Sequence, residues 1–191
     1  MKLTVFCASS GLVGSQYLAD AHKLGEIIGE TGHTLINGAG RTGLMAAVAD
    51  GCLEKGGKAI GVIPQFMIDK KWQHTGMTKL IVTESMSERK DYMMRESDAC
   101  IALPGGVGTL EELFEIVTLK QLGRYDKPIV LLNTDGYYND LLHFINHIVE
   151  EKFMHAIYTT LWKVAQTPEE AVRLAMETPV WTESIDKYAA L

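Results

Sequence analysis

The segment Leu103-Pro104-Gly105-Gly106-Val107-Gly108-Thr109-Leu110-Glu111-Glu112 places three glycines directly ahead of a threonine and two glutamates. These residue types point to anion binding with a carboxylate close by. Glycines at a strand-to-helix turn leave bare N–H groups at the positive end of the helix, a natural phosphate seat. Thr109-x-x-Glu112 also fits a capping box, in which Thr109 accepts from the Glu112 amide and Glu112 answers the Thr109 amide. In that register Glu112 lies in the first helical turn, where the dipole and backbone donors hold it ionised. An ionised carboxylate suits orienting a water or stabilising a developing cation, and is a poor general acid. It also repels a phosphate lying on it. The phosphate is therefore expected against Gly106–Thr109, with Glu112 facing the next group of the ligand; in a nucleoside monophosphate that group is the ribose. No Gly-Lys-Ser/Thr occurs, which excludes an ATP-hydrolysing P-loop.

Three further patterns carry chemistry or its absence. Arg89 and Lys90 open a helix among charges of both signs. They are either a solvated face or two cations beside the phosphate seat, with Arg89 suited to fork-like contacts. Gly38-Ala39-Gly40-Arg41-Thr42-Gly43 spells G-x-G-x-x-G between a strand and a helix. It reads as a tight packing turn, as support for a phosphate pocket or, least well, as a dinucleotide fingerprint. The strand that follows ends Val62-Ile63-Pro64, without the acid such a fingerprint needs. His143 and His147 lie one helical turn apart, but neither a third ligand nor a catalytic Glu accompanies them. They read as a surface pair, and no metal is expected.

The elements that position these residues follow from periodicity. Leu3–Cys7, Thr34–Ile36, Ala59–Ile63, Leu80–Thr83, Ala99–Leu103, Ile129–Leu132 and Trp162–Ala165 read as strands. Helices are expected at Ser15–Glu30, Leu44–Glu54, Ser87–Ser97, Leu110–Leu122, Tyr137–Glu151 and Pro168–Met176. Continuously apolar strands alternating with helices make βαβ units. The expected fold is an α/β, Rossmann-like, doubly wound parallel sheet with helices on both faces, one domain spanning residues 1–191. All the glycine signals then fall at the carboxyl ends of strands, where such sheets bind ligands. The irregular stretch Gln65–Lys79, with Lys70, Lys71, Trp72 and His74, is expected as a loop over that edge or as part of an interface.

Bulk properties narrow the partners. A formal net charge of −6 over 191 residues argues against nucleic acid or an anionic membrane surface. No apolar run approaches a membrane span. The three cysteines, Cys7, Cys52 and Cys100, form no C-x-x-C, read as core residues and fit a reducing, cytoplasmic setting.

Arg89-Lys90 followed by Pro104-Gly105-Gly106-Val107-Gly108-Thr109-Leu110-Glu111-Glu112 resembles the LOG (LONELY GUY) family, whose hallmark is P-G-G-x-G-T-x-x-E with an upstream R-K. The likeness extends through Val5–Ser10, Gly43-Leu44-Met45, Val62-Ile63-Pro64 and Asp126 to Tyr138. The resemblance implies a cytokinin riboside 5′-monophosphate phosphoribohydrolase. Such an enzyme cleaves the N-glycosidic bond of AMP or an N6-prenylated AMP, and its family was once mislabelled lysine decarboxylase. It implies Arg89 and Glu112 as the catalytic pair. The nucleotide site would be formed by Ser10, Lys90, Gly105, Gly106, Val107, Gly108, Thr109, Leu110, Glu111 and Thr118. It further implies a homodimer with pockets near its interface, and no cofactor. Two positions depart from the family pattern. Ala39 stands where many members have a third glycine, and Lys71 where many have a glutamate. The rivals are a nucleotide or molybdenum-cofactor carrier without turnover and, further behind, a dinucleotide-dependent oxidoreductase.

Overall fold

The apolar runs become seven strands: β1 (Lys2–Phe6), β2 (Thr34–Asn37), β3 (Lys58–Pro64), β4 (Lys79–Thr83), β5 (Ala99–Ala102), β6 (Ile129–Leu132) and β7 (Lys163–Ala165). In the computed structural model, which describes residues 1–182, they form one sheet in the order β4-β3-β2-β1-β5-β6-β7. Every pairing is parallel. The remaining nine residues of the expected domain lie outside the described part. β5 and β6 are buried along their whole length, as strands covered on both faces must be.

Among the described residues each strand is followed by an α-helix: α1 (Ser15–Glu30), α2 (Gly43–Glu54), α3 (Gln65–Asp69), α4 (Met86–Glu96), α5 (Val107–Gln121), α6 (Asn139–Glu150) and α7 (Pro168–Glu177). Leu24, Ile28, Leu44, Val48 and Val172 of α1, α2 and α7 pack on one face of the sheet. Met93, Leu113, Ile116 and Ile145 of α4, α5 and α6 pack on the other. α1 and α2 cross closely because glycines meet there. A Cβ at Gly25 would stand 2.1 Å from the Val48 carbonyl oxygen, and one at Gly51 2.1 Å from that of His22.

From β1 the chain steps outward to β4 and then returns to β5 on the other side of β1. The loops after β1 and β5 therefore diverge above a crevice, the place where open α/β sheets bind ligands. Three elements differ from the sequence reading. α5 begins three residues before Leu110, Gln65–Asp69 is a short helix, and α6 begins only at Asn139. At the last, the Tyr137 amide closes the Thr134–Gly136 turn and the Tyr138 amide bonds Asn133 Oδ1, so Tyr138 is the N-cap and the first helical bond runs from Leu142 to its carbonyl. All three cysteines are free and buried. Among the described residues no helix is long and apolar enough to cross a membrane.

Candidate active site

A cavity of about 640 Å³ opens at the carboxyl edge of the sheet. The β1 loop contributes Cys7 to Ser10, and the β2 loop Gly38, Gly40, Arg41 and Thr42. Met45 of α2, Ile63, Met67 and Trp72 form a more apolar end. Met86 and Arg89 come from α4, and Gly106, Gly108, Thr109, Glu111 and Glu112 from α5. The volume suits a nucleotide-sized ligand.

The start of α5 corrects one expectation. Gly106 is the N-cap residue, extended at φ −80° and ψ −160°, and no side chain caps the helix. The first helical bond runs from the Leu110 amide to the Gly106 carbonyl at 3.1 Å. Thr109 is therefore already inside the helix, Glu112 lies in its second turn, and the Thr109–Glu112 capping box does not form. Thr109 instead fills the space over Gly105, where a Cβ would lie 2.1 Å from its Oγ1. Reciprocal capping occurs elsewhere. Ser85 Oγ accepts from the Glu88 amide at 3.1 Å, and Glu88 Oε2 accepts from the Glu84 amide at 2.9 Å. Thr167 and Glu170 do the same for α7. The bare amides of α5 are thus left for a ligand.

Arg89 and Glu112 face each other beside those amides. They are 4% and 6% exposed, and Nη2 stands 3.7 Å from Oε1, an ion-pair distance. Arg89 Nη1 points to Met86 Sδ at 3.7 Å, and its buried Nε has no partner. Gly38 makes the room: a Cβ there would lie 1.7 Å from Arg89 Nη2. Burial pushes the Glu112 carboxyl up to about 7, Arg89 pulls it back, and the nearby Glu111 pushes it further up. The expectation of a carboxylate held firmly ionised by the helix start is thereby revised. In the second turn the backbone donors are out of reach, and loss of water outweighs the cation.

The other expected site residues separate by position. Ser10, Gly106, Gly108, Thr109 and Glu111 line the cavity. Gly105 lies just behind it, its carbonyl accepting from Tyr137 Oη at 2.7 Å. Val107 projects outward at 84% exposed, and Leu110 packs against the second core. Lys90 Nζ is held by Glu111 and by Glu115 Oε2, the latter at 2.8 Å. Thr118 is exposed on α5. Neither Lys90 nor Thr118 is among the lining residues.

Several lining residues were missing from the expected set. The G-x-G-x-x-G loop seats Arg89 and is pinned by the Gln65–Lys79 stretch. The Arg41 amide bonds the Trp72 carbonyl at 2.9 Å, and the His74 amide the Ala39 carbonyl at 2.8 Å. Trp72 thereby reaches the cavity, which fits the reading of that stretch as a loop over the edge. Met45, Ile63 and Met67 carried no signal beyond ordinary hydrophobicity. Ala39 adopts φ 57° and turns its methyl toward Gly61, where a Cβ would lie 2.6 Å away. The methyl is thus housed against the sheet, and Ala39 does not line the cavity.

Among the described residues no group of three or more His, Cys, Asp and Glu stands close enough to hold a metal ion.

Residues 45–175 match the family model described as "Possible lysine decarboxylase". Over 184 residues the chain is 40% identical to the cytokinin riboside 5′-monophosphate phosphoribohydrolase LOG4 of Arabidopsis thaliana, covering 96% of this chain and 86% of that one. It is 42% identical over 154 residues to the enzyme of the same name from Rhodococcoides fascians, covering 80% and 78%. The molybdenum cofactor binding protein of Rippkaea orientalis superposes with a TM-score of 0.69 at 24% identity, over 91% of this chain and 93% of that one. The Moco carrier protein of Chlamydomonas reinhardtii gives 0.67 at 24% identity, over 90% and 92%. These two structures share the fold. The match to the family model and the identity to the phosphoribohydrolases place the chain in the LOG family.

Proposed function

We propose that the protein is a nucleotide N-glycosidase, hydrolysing AMP or an N6-substituted AMP to free base and ribose 5-phosphate. The observation that carries this reading is the buried Arg89–Glu112 pair, 3.7 Å apart, opening into the same cavity as the uncapped start of α5. Relatives about 40% identical over most of the chain are named for this activity.

In this reading the 5′-phosphate lies on the amides of Gly106–Thr109, which fixes the sugar by binding energy remote from the reacting bond. The C1′–N bond breaks, its electron pair leaves with the base, and C1′ develops positive charge. Glu112, deprotonated, stabilises that charge and takes a proton from the water that attacks C1′; the departing base takes up a proton from solvent, and Glu112 returns its own to solvent. A carboxyl that titrates near 7 is matched to this proton transfer. Arg89 keeps part of the Glu112 population ionised, and its unpartnered Nε is a donor for phosphate or departing base. Ser10, Gly108, Thr109 and Glu111 complete the wall, while Gly105, Val107 and Leu110 shape the turn and first helical turn behind it.

Lys90 reaches a nucleotide only by leaving its glutamates, and Thr118, exposed and outside this cavity's lining, would contribute only to the site of a second copy. A homodimer is supported by a stripe on α5: Val107, Phe114 and, at its end, Leu122 are 84%, 42% and 50% exposed, with Thr118 on the same face. One domain and a cytosolic setting complete the reading, the latter supported by three free buried cysteines. Lysine decarboxylation through pyridoxal phosphate needs a Schiff-base lysine, and no lysine is among the lining residues. The buried Lys120 donates to the Lys127 carbonyl at 2.6 Å instead.

The test is incubation with AMP, isopentenyl-AMP and adenosine, followed by chromatography. Free base from the two nucleotides, and far less from adenosine, is expected. Tight AMP binding with no base released would instead mark a carrier.

A further inference from the structure

Two consecutive tyrosines stand behind the anion seat. Tyr137 Oη donates to the Gly105 carbonyl at 2.7 Å, and Tyr138 Oη to the Leu103 carbonyl at 2.6 Å. Between them the Pro104 carbonyl accepts from the Ala8 amide at 3.2 Å, and the Gly106 carbonyl takes the first helical bond from Leu110 at 3.1 Å. Every carbonyl from Leu103 to Gly106 is therefore engaged. The donors are the reverse. Pro104 has no N–H, and the amides from Gly105 to Thr109 have no partner among the described residues. The turn has its acceptors tied back and its donors free, which is the polarity an anion requires.

The Gly105–Gly106 peptide is the weak point of that arrangement. A peptide between two glycines meets little steric resistance to rotation. If it flipped, it would turn a carbonyl oxygen toward the phosphate and withdraw a donor. In a trans peptide the C=O and the following N–H point in opposite directions. The bond from Tyr137 to the Gly105 oxygen therefore also sets the direction of the Gly106 N–H, and Gly106 lines the cavity.

We propose that Tyr137 is a positioning residue: its hydroxyl holds the Gly105–Gly106 peptide so that the Gly106 N–H meets the phosphate of the bound nucleotide. Tyr137 does not line the cavity itself. The proposal rests on the nucleotide reading above.

The turn that aims the two tyrosines is built for rigidity. Thr134 Oγ1 donates to Asp20 Oδ2 of α1 at 2.6 Å, and Asn133 Oδ1 accepts from the Tyr138 amide at 2.7 Å. Gly136 is left-handed at φ 70°, and a Cβ there would meet Asn139 Nδ2 at 2.6 Å. The Tyr137 ring sits edge-on between Tyr17 and Tyr138, with centroids at 5.9 and 5.1 Å. The two tyrosines divide the work. Tyr138 is 1% exposed and belongs to the core, whereas Tyr137 is 42% exposed, so burial explains it less than its hydroxyl contact does.

The test is calorimetric titration of wild type and Tyr137→Phe with ribose 5-phosphate and, separately, adenine, alongside steady-state kinetics on AMP. Tyr137→Phe keeps the ring and removes only the hydroxyl. Ribose 5-phosphate is expected to bind roughly three- to tenfold more weakly, the span of one lost hydrogen bond. Adenine binding is expected to be unchanged. KM for AMP should rise by the same factor as the ribose 5-phosphate affinity falls, with kcat within about twofold. Tyr138→Phe, which touches the strand end, should lower stability without this selectivity for the phosphate-bearing ligand. Unchanged ribose 5-phosphate affinity in Tyr137→Phe, or equal weakening of both ligands, would overturn the assignment. So would a wild type that binds no ribose 5-phosphate. If the wild type binds it but releases no base from AMP, hydrolysis fails while the binding comparison still decides the role of Tyr137.

Discussion

The guanidinium of Arg89 occupies the place where a side chain at position 38 would be. A Cβ on Gly38 would lie 1.7 Å from Arg89 Nη2. Gly38 comes from the loop after β2 and Arg89 from α4, and the missing methyl of one is the seat of the other. Gly38→Ala is therefore expected to push Arg89 away from Glu112 and out of its reacting position. A displacement of this size costs roughly 100-fold in kcat. Steady-state turnover of AMP, with circular dichroism to confirm folding, checks this. A variant within about twofold of wild type would show that Arg89 needs no such seat.

Glu112 gives stability a pH dependence of predictable sign. Burial raises its folded-state value from 4.5 to about 7, so the folded protein holds a proton that the unfolded chain has released. That stabilisation is fully present below about 4.5 and is lost as pH rises through about 7. Glu112→Gln lacks it. Urea unfolding of both proteins across this range should show wild type losing up to about 3 kcal/mol relative to the variant. A constant difference would mean that the carboxyl does not titrate in that window. The same group predicts a rising limb in kcat/KM for AMP, centred near its value of about 7, because the base form must be deprotonated.

Lys90 separates two roles for the R-K pair. It bridges Glu111 and Glu115, with side-chain exposures of 12%, 51% and 35%, and so ties α4, which carries Arg89, to α5. In this arrangement Lys90→Met is expected to cost about 1 kcal/mol or less, since two partners are partly solvated, with KM for AMP changing little. Denaturant unfolding and steady-state kinetics decide it. A KM more than about tenfold higher at unchanged kcat would mean that Lys90 leaves its glutamates to bind phosphate.

The proposed homodimer rests on the exposed stripe on α5. Phe114→Asp puts a charge among Val107, Phe114, Thr118 and Leu122 and should shift the protein from dimer to monomer in light scattering after gel filtration. A wild type already monomeric at the same concentration would remove the basis for placing Thr118 near any nucleotide.

The sheet was legible because its strands have apolar centres and each is followed by a helical period. The chemistry-bearing residues were legible as types, less so as geometry. Thr109-x-x-Glu112 matches a capping box in sequence. The helix instead starts after Gly106, and the missing Cβ of Gly105 leaves room for the Thr109 side chain to pack there, so the box stays empty. The reciprocal caps stand at Ser85–Glu88 and Thr167–Glu170. With the register went the expected ionisation of Glu112, since one helical turn separates backbone donors from a buried, water-free position. Arg89 reads as one charge in a mixed run, and its burial depends on a hollow at Gly38 that is distant in sequence. Contacts of that kind, between a loop after β2 and a helix after β4, leave no local pattern to read.

The most direct measurement is the free adenine formed from AMP by wild type and by Glu112→Gln, resolved by chromatography at about pH 8, where Glu112 is deprotonated. Wild type is expected to yield adenine and ribose 5-phosphate in equal amounts, and Glu112→Gln to do so at least roughly 100-fold more slowly. AMP recovered intact from the wild type, or a Gln variant retaining most of the rate, would contradict N-glycosidic cleavage by this pair.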